Sequence, residues 1–178
     1  KRDTGTTVLG QKISLPVLAA PEGGHRSVHP EGELASARAV AGAGTIMILA
    51  HMANHSMEQV TAECEGPRWF QLYVFPDREF VRECVQRAEE AGYLAIVVTV
   101  DYPAERFRDL RPEGDYADFG KEINVRRKFH STPLGSPNAM RLEPDGVRRL
   151  ITQRFDPALT WATVDWIRSI TSLPVVLK

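Results

Sequence analysis

The sequence predicts an α/β fold with a parallel sheet, and three observations indicate it. Short apolar runs rich in Val, Ile and Leu alternate along the chain with amphipathic helical patterns. These runs are continuous rather than alternating in polarity, as expected for strands that are buried on both faces. The first four start 30, 24 and 26 residues apart, which is the length of a βα unit. Strands joined by helices must run parallel.

Five apolar runs are expected to form the strands. They are Leu15–Ala20, Thr45–Leu49, Trp69–Val74, Ala95–Val100 and Leu173–Leu177. The last begins 78 residues after the fourth, and the interval at about 102–158 is rich in proline and charge. We therefore interpret this interval as a long loop inserted after the fourth strand. Because no boundary of a second domain is visible, residues 1–178 are expected to belong to one domain.

Two helices are expected before the third strand. The Ala-rich segment Glu31–Ala43 follows Pro30 and opens with two acidic residues, which suit the first turn of a helix. The segment Ser56–Glu63 begins with a serine that can accept hydrogen bonds from the first backbone N–H groups. Each helix therefore lies between two predicted strands, as a βα repeat requires.

Two further helices follow the third and fourth strands. Asp77–Ala91 ends at Gly92 and carries one apolar stripe, formed by Phe80, Val81, Cys84, Val85 and Ala88. Thr160–Thr171 begins at a threonine cap. Its expected buried face is formed by Trp161, Val164 and Ile167.

Composition excludes several classes of protein. The formal net charge is -1, which is unlike the basic balance of nucleic-acid-binding proteins. No apolar run approaches the ~20 residues of a membrane-spanning helix. Two cysteines, Cys64 and Cys84, are too few for a disulfide scaffold and indicate an intracellular protein. They do not distinguish a cytoplasmic from a peroxisomal protein. Because the chain starts without Met, we expect it to begin inside a longer polypeptide.

Polar residues follow most of the predicted strands. The parallel βα repeat is consistent with a doubly wound sheet or a (β/α)₈ barrel. Both folds bind ligands at the carboxyl ends of their strands. A functional site is therefore expected there. The residues at these ends are Glu22, Gly23 and Gly24, then His51 and Met52, then Gln71 and Tyr73, then Thr99 and Asp101, and finally Lys178.

Several separate motifs, in order, resemble the FMN-dependent 2-hydroxy acid oxidases and dehydrogenases, the glycolate oxidase and lactate oxidase group. They lie at residues 6–10 (TTVLG), 29–33 (HPEGE), 69–73 (WFQLY), 99–101 (TVD) and 171–178 (TSLPVVLK). The resemblance implies a TIM (β/α)₈ barrel, of which this chain supplies about five strands. It also implies bound FMN and oxidation of a small 2-hydroxy acid to the 2-oxo acid, with O₂ or another electron acceptor.

The resemblance also implies a cofactor site. Gln71 and Thr99 are expected to hydrogen-bond the pyrimidine edge of the flavin, and Gly23 and Ala50 to border the cofactor. Lys178 is expected near flavin N1 and O2, where its ammonium group would stabilise negative charge and so contribute to catalysis. Ala50 stands where the family commonly has a serine.

The substrate residues implied by the resemblance are Tyr73 and Arg108. The Tyr73 hydroxyl is expected to contact the substrate and take part in catalysis. Arg108 is expected to bind the substrate carboxylate, because a planar guanidinium suits a bidentate grip. An aromatic residue that is often near the substrate in the family is replaced by Met52.

The family's catalytic histidine is expected outside this sequence, because this chain supplies only part of the barrel. We therefore expect either a second chain or the missing barrel half as a partner. We also expect a homo-oligomer. The alternative is a non-catalytic fragment or pseudoenzyme that acts as a structural or interaction partner. A weaker alternative is another FMN barrel that acts on a phosphorylated substrate.

Two histidine pairs, His25/His29 and His51/His55, have a spacing of four residues, which on a helix would place both rings on one face. Neither pair lies in a predicted helix, and no third ligand stands at a familiar spacing. No metal site is therefore expected. We expect His51 to lie near the flavin or the substrate instead.

Overall fold

A computed structural model of the chain describes residues 2–101, 156 and 158–178. The predicted inserted loop therefore lies almost entirely outside the described residues, and Arg108 lies outside them as well.

A parallel sheet forms the centre of the described structure. Its strands are β3 (Met47–Leu49), β4 (Arg68–Leu72), β5 (Ile96–Val98) and β6 (Val175–Leu177). Neighbours in the sheet are neighbours in chain order, and every pair is parallel. A doubly wound sheet contains a point at which the strand order reverses. The described strands show no reversal, so their order favours the wall of a barrel.

The first predicted strand, Leu15–Ala20, is only partly confirmed. Within the part of the chain that the structure describes, its ladder contact is one parallel bridge, between Ala19 and Met47 of β3. The reason lies at Pro16, which has no N–H to donate and sits in a tight turn closed by a bond from the Val17 N–H to the Leu15 carbonyl (2.8 Å). Ala19 nevertheless adds a fifth position to the sheet, on the outer side of β3.

An antiparallel hairpin, which the strand pattern did not predict, precedes the sheet. It consists of β1 (Thr6–Val8) and β2 (Gln11–Ile13). Leu9 and Gly10 form its two-residue turn, and both have positive φ, 47° and 79°, as the twist of a tight hairpin requires. The Trp69 indole N–H donates to Oε1 of Gln11 (2.8 Å), which joins the hairpin to the start of β4.

The described ranges contain four α-helices close to their predicted positions, one before β3 and one between each pair of successive parallel strands. They are α1 (Gly32–Gly42), α2 (Met57–Glu63), α3 (Arg78–Glu90) and α4 (Trp161–Ser169). The cap predicted at Ser56 is confirmed, and α3 has a cap at Asp77 that was not predicted. Ser56 forms a capping box with Gln59, and the Asp77 carboxylate accepts from two N–H groups in the first turn of α3.

The sheet separates two apolar layers. Its helix side forms the larger core, which includes Phe70 and Leu72 of β4 and Ile96 and Val98 of β5. The opposite side, here called the interior face, carries a smaller cluster near the amino-terminal ends of the strands. That cluster comprises Ile13, Ile46, Trp69, Ala95 and Val97, with Val8, Leu18, Ile48 and Val176 packed against it.

The predicted stripe of α3 is confirmed, because all five of its residues are buried. The prediction for α4 is wrong at Trp161, which is 76% exposed. The prediction is confirmed at Ile167, which is buried, and Thr163 is the other buried residue of the helix. A strict three-residue spacing drifts off a helical stripe, whereas the partly buried Trp166 and Ile170 complete an i, i+3, i+4, i+7 pattern with the two buried residues.

Replacing Ile167 with alanine should therefore destabilise the full-length protein by about 2–5 kcal/mol, because the side chain is fully buried and its loss leaves a cavity. Urea denaturation measures this change. Trp161→Ala is the matched control on the same helix and should shift the unfolding free energy by no more than about 0.5 kcal/mol. Equal losses in the two variants would contradict the orientation of α4.

Candidate functional site

The candidate site lies at the carboxyl ends of the strands, on the interior face. Side chains alternate along a strand, so Gln71 shares a face with Trp69 and Thr99 shares a face with Val97. By the same alternation Lys178 follows Val176. The polar residues therefore continue the apolar interior cluster toward the carboxyl edge of the sheet.

Gln71 is held at both ends of its carboxamide. Its Oε1 accepts from the backbone N–H of His51 (3.1 Å), and its Nε2 donates to Oγ1 of Thr99 (2.9 Å). Both side chains are buried. Because Thr99 accepts this bond, its own hydroxyl hydrogen remains for donation, and Gln71 Nε2 keeps a second hydrogen. The pair therefore presents two oriented donors on the interior face.

His51 was expected near the flavin or the substrate, but its ring does not point toward the Gln71–Thr99 pair. Its backbone N–H donates to Gln71, whereas its ring lies in the helix-side core, where it is completely buried. Burial, together with the positive charge of Arg87, lowers the pKa of His51 to about 3. The ring is therefore neutral at physiological pH, with Nδ1 accepting from the Tyr73 N–H (3.1 Å) and Nε2 at 3.6 Å from Sγ of Cys84. Four aromatic rings surround it, those of Phe70, Tyr73, Phe75 and Phe80.

Tyr73 is the first residue after β4 and is half-buried. Its ring is stacked on that of His51, with 6.4 Å between the ring centroids and 17° between the planes. Its backbone is held by the bond to Nδ1 of His51. Tyr73 is thus brought to the same edge as Gln71, as predicted from the sequence.

Lys178 extends β6 by one residue. Its N–H donates to the Val98 carbonyl (2.9 Å), and its own carbonyl accepts from the Val100 N–H (2.9 Å). These two bonds fix the backbone beside Thr99, while the lysine side chain itself is exposed. A positive charge is therefore carried at the edge where the two oriented donors lie.

The loops that follow Ala19 and β3 approach each other closely at Gly23. A Cβ atom on Gly23 would lie 2.9 Å from the Met52 carbonyl oxygen and 3.1 Å from its Cβ. Any side chain there would push the two loops apart. Ala50, which precedes His51, is buried, whereas Glu22 is exposed.

A second connection between these loops centres on Glu33, which sequence reasoning missed as a site residue. The carboxylate, in the first turn of α1, is completely buried. Its Oε1 accepts from the backbone N–H groups of His25 (3.3 Å) and Asn54 (3.0 Å), and its Oε2 lies 2.7 Å from Nδ1 of His55. The Arg26 N–H also donates to Oδ1 of Asn54 (3.0 Å). We call this set of contacts the Glu33 clasp.

Burial by itself would raise the pKa of Glu33, but hydrogen bonds from the Asn54 backbone and the His55 side chain outweigh it and hold the pKa below its usual value. Gly32 allows His55 to approach. It has φ of +52°, and a Cβ there would lie 3.0 Å from Cε1 of His55. The available signal in the sequence was a carboxylate inside the motif at residues 29–33, together with two polar residues, Asn54 and His55, in the segment after β3.

Within the described ranges, no group of three or more His, Cys, Asp or Glu side chains is arranged to hold a metal ion. Among the helices that the structure describes, none is long and apolar enough to cross a membrane.

Comparisons with known proteins agree with one another. A model of the family described as FMN-dependent dehydrogenase matches residues 1–178. A peroxisomal (S)-2-hydroxyacid oxidase of Arabidopsis thaliana is 38% identical over 178 residues, covering 100% of this chain and 47% of that protein. Glycolate oxidase of Spinacia oleracea is 39% identical over 178 residues, covering 99% of this chain and 47% of that protein.

Solved structures agree as well. The structure of a mandelate oxidase with (S)-4-hydroxymandelic acid superposes with a TM-score of 0.81 at 35% identity, covering 98% of this chain and 47% of that chain. The chain thus spans about half the length of the relatives it matches.

Replacing Glu33 with glutamine should destabilise the full-length protein by about 1–3 kcal/mol at pH 7, because an amide cannot accept from every donor in the clasp. Glu33 has a lowered pKa in the folded state, so its contribution is complete above the ordinary glutamate pKa and is lost as the pH falls through the folded value. The free energy of unfolding, measured by urea denaturation from pH 7 to pH 3, should fall less steeply with decreasing pH in the variant than in the wild-type protein. Glu65→Gln, at an exposed carboxylate, is the control, and its free energy of unfolding should fall with pH as it does in the wild-type protein. An unchanged acid profile in Glu33→Gln would contradict the clasp.

Proposed function

Because the chain belongs to the FMN-dependent dehydrogenase family, we propose that the protein oxidises a small 2-hydroxy acid to the 2-oxo acid, with O₂ or another acceptor taking up the electrons. The described sheet is part of the wall of a TIM (β/α)₈ barrel, with four strands in the ladder and a fifth position at Ala19. The observation that carries the proposal is the oriented Gln71–Thr99 pair at the carboxyl edge.

The residues at this edge fit an FMN ring. When bound, FMN supplies the group that accepts the substrate's two electrons. The pyrimidine edge of a flavin presents hydrogen-bond acceptors, and Gln71 and Thr99 each keep a hydrogen to donate there. Both polar side chains are buried in an otherwise apolar layer, where such groups need partners. Gly23 and Ala50 would border the cofactor through the backbone of the two joined loops.

Lys178 would contribute charge. Its backbone is fixed beside Thr99, so the side chain starts at the edge where the pyrimidine end of the ring would be held. A preorganised ammonium group there would stabilise the negative charge that collects during oxidation. This is the catalytic role proposed for Lys178.

Tyr73 and Arg108 would handle the substrate. The hydroxyl of Tyr73 would hydrogen-bond the substrate and support catalysis, because its backbone is anchored at the same edge. Arg108, which is outside the described residues, would grip the substrate carboxylate in a bidentate manner. The histidine that removes a proton from the substrate would come from the part of the protein beyond this sequence.

Location and assembly belong to the same proposal. One relative is named as peroxisomal, which supports a location inside the cell, in the peroxisome or the cytoplasm. A homo-oligomer is proposed, with the rest of the barrel supplied by the longer polypeptide or by a second chain.

The full-length protein should show flavin absorption bands that bleach anaerobically on addition of glycolate, lactate or mandelate. A visible spectrum, recorded with the intact mass of the same sample, tests this. A colourless protein that takes up no added FMN would contradict the proposal and favour the alternative of a non-catalytic structural or interaction partner.

Lys178→Met should slow anaerobic flavin reduction by a factor on the order of 10², because one preorganised stabilising group is removed. Stopped-flow absorbance measures the rate. Lys12→Met, in the hairpin strand β2, is the control and should reduce at the wild-type rate. Wild-type kinetics in Lys178→Met would remove the lysine from the catalytic machinery.

A further inference from the structure

We propose that His51 is a positioning residue, which fixes the backbone of Tyr73 relative to the carboxamide of Gln71. The inference rests on the proposed function, in which Gln71 holds the cofactor and Tyr73 contacts the substrate. His51 would therefore set the distance between the cofactor side and the substrate side of the site, although its own ring contacts neither.

His51 is hydrogen-bonded to both Gln71 and Tyr73. The backbone N–H of His51 donates to Oε1 of Gln71, and ring Nδ1 of the same residue accepts from the N–H of Tyr73, each at 3.1 Å. β4 ends at Leu72, so Tyr73 lies one residue beyond the ladder. The imidazole nitrogen thus takes the place of a carbonyl acceptor in a neighbouring strand.

The tautomer of His51 follows from these contacts. A neutral imidazole has one donor nitrogen and one acceptor nitrogen, and Nδ1 is occupied as the acceptor. The proton must therefore be on Nε2, which faces Sγ of Cys84 at 3.6 Å. Burial lowers the pKa of His51 to about 3, so Nδ1 stays available as an acceptor across physiological pH.

The surroundings prevent the ring from turning away. It packs edge-on against Phe70 and Phe75, with centroid distances of 5.3 Å and 5.2 Å, and it is stacked on Phe80 at 6.1 Å. These rings come from β4, the segment after it and α3. The helix-side core is therefore coupled, through His51, to the polar edge on the interior face.

Two variants of the full-length holoenzyme separate positioning from simple core packing. His51→Leu fills a similar volume but has no acceptor for the Tyr73 N–H. His51→Asn can place Oδ1 near the position of Nδ1 and keeps the acceptor. Both variants retain the backbone N–H that donates to Gln71, so FMN affinity should change by no more than about twofold in each.

His51→Leu should raise KM or lower kcat for the best of glycolate, lactate and mandelate by about 10-fold to 100-fold, because a misplaced substrate contact is costly. His51→Asn should recover most of that loss. Wild-type kinetics in His51→Leu would overturn the proposal. Equal losses in the two variants would also overturn it, since a packing defect alone does not depend on an acceptor.

A measurement on the wild-type protein covers the case in which His51→Leu fails to fold. NMR of protein labelled with [¹⁵N]histidine, assigned with His51→Asn, should show His51 protonated only at Nε2 from pH 5 to 9. A proton at Nδ1, or titration in this range, would overturn the proposal. If wild-type protein oxidises none of the three acids, the proposed function fails separately, because the NMR result does not depend on turnover.

Discussion

The carboxamide of Gln71 connects three strands of the site. It accepts from His51, two residues after the end of β3, belongs to β4 itself, and donates to Thr99, the residue that follows β5. A buried amide that lost either partner would cost about 1–3 kcal/mol, so the strand ends are held in one relative position. The donors left over are directed to the interior face. Stability and the orientation of the site therefore have the same origin.

The loops above the strand ends depend on a different interaction. The Glu33 clasp joins the segment after Ala19 to the segment after β3, and the close approach of Gly23 to Met52 joins the same two segments again. Loops at the carboxyl ends of barrel strands carry the active site in this fold. A buried carboxylate that accepts hydrogen bonds from backbone N–H groups gives such loops a fixed shape without a regular ladder. The exposed Glu22 is not part of the Glu33 clasp.

The two layers of the sheet have distinct roles, and His51 crosses between them. Its backbone takes part in the polar edge, whereas its ring belongs to the aromatic core beside α3. Tyr73 is held by this ring, so a residue proposed to contact substrate depends on packing in the helix-side core. The histidine expected from the sequence near the flavin or substrate thus acts, in our proposal, through its neighbours.

Local chemistry was sufficient for much of the fold. The cap at Ser56 and the stripe of α3 depend on residues a few positions apart, and the structure confirms them. Pro16 and Trp161 show where a local pattern was not enough. The proline removed most of a predicted ladder, and the tryptophan fell outside the face that packs against the sheet. The hairpin was not predicted, because its signal is a single Leu-Gly pair.

The sequence by itself determined the order of the parallel strands and the α-helices. It also placed Gln71, Tyr73, Thr99 and Lys178 at one edge, because the carboxyl ends of parallel strands lie at the same edge of a sheet. Only the tertiary structure decided the direction of the His51 ring and the partners of Glu33. Apart from the contact between Glu33 and His25, eight positions apart, these contacts join residues 21 to 33 positions apart. Such pairs form only when separate βα units pack together, so no local pattern encodes them.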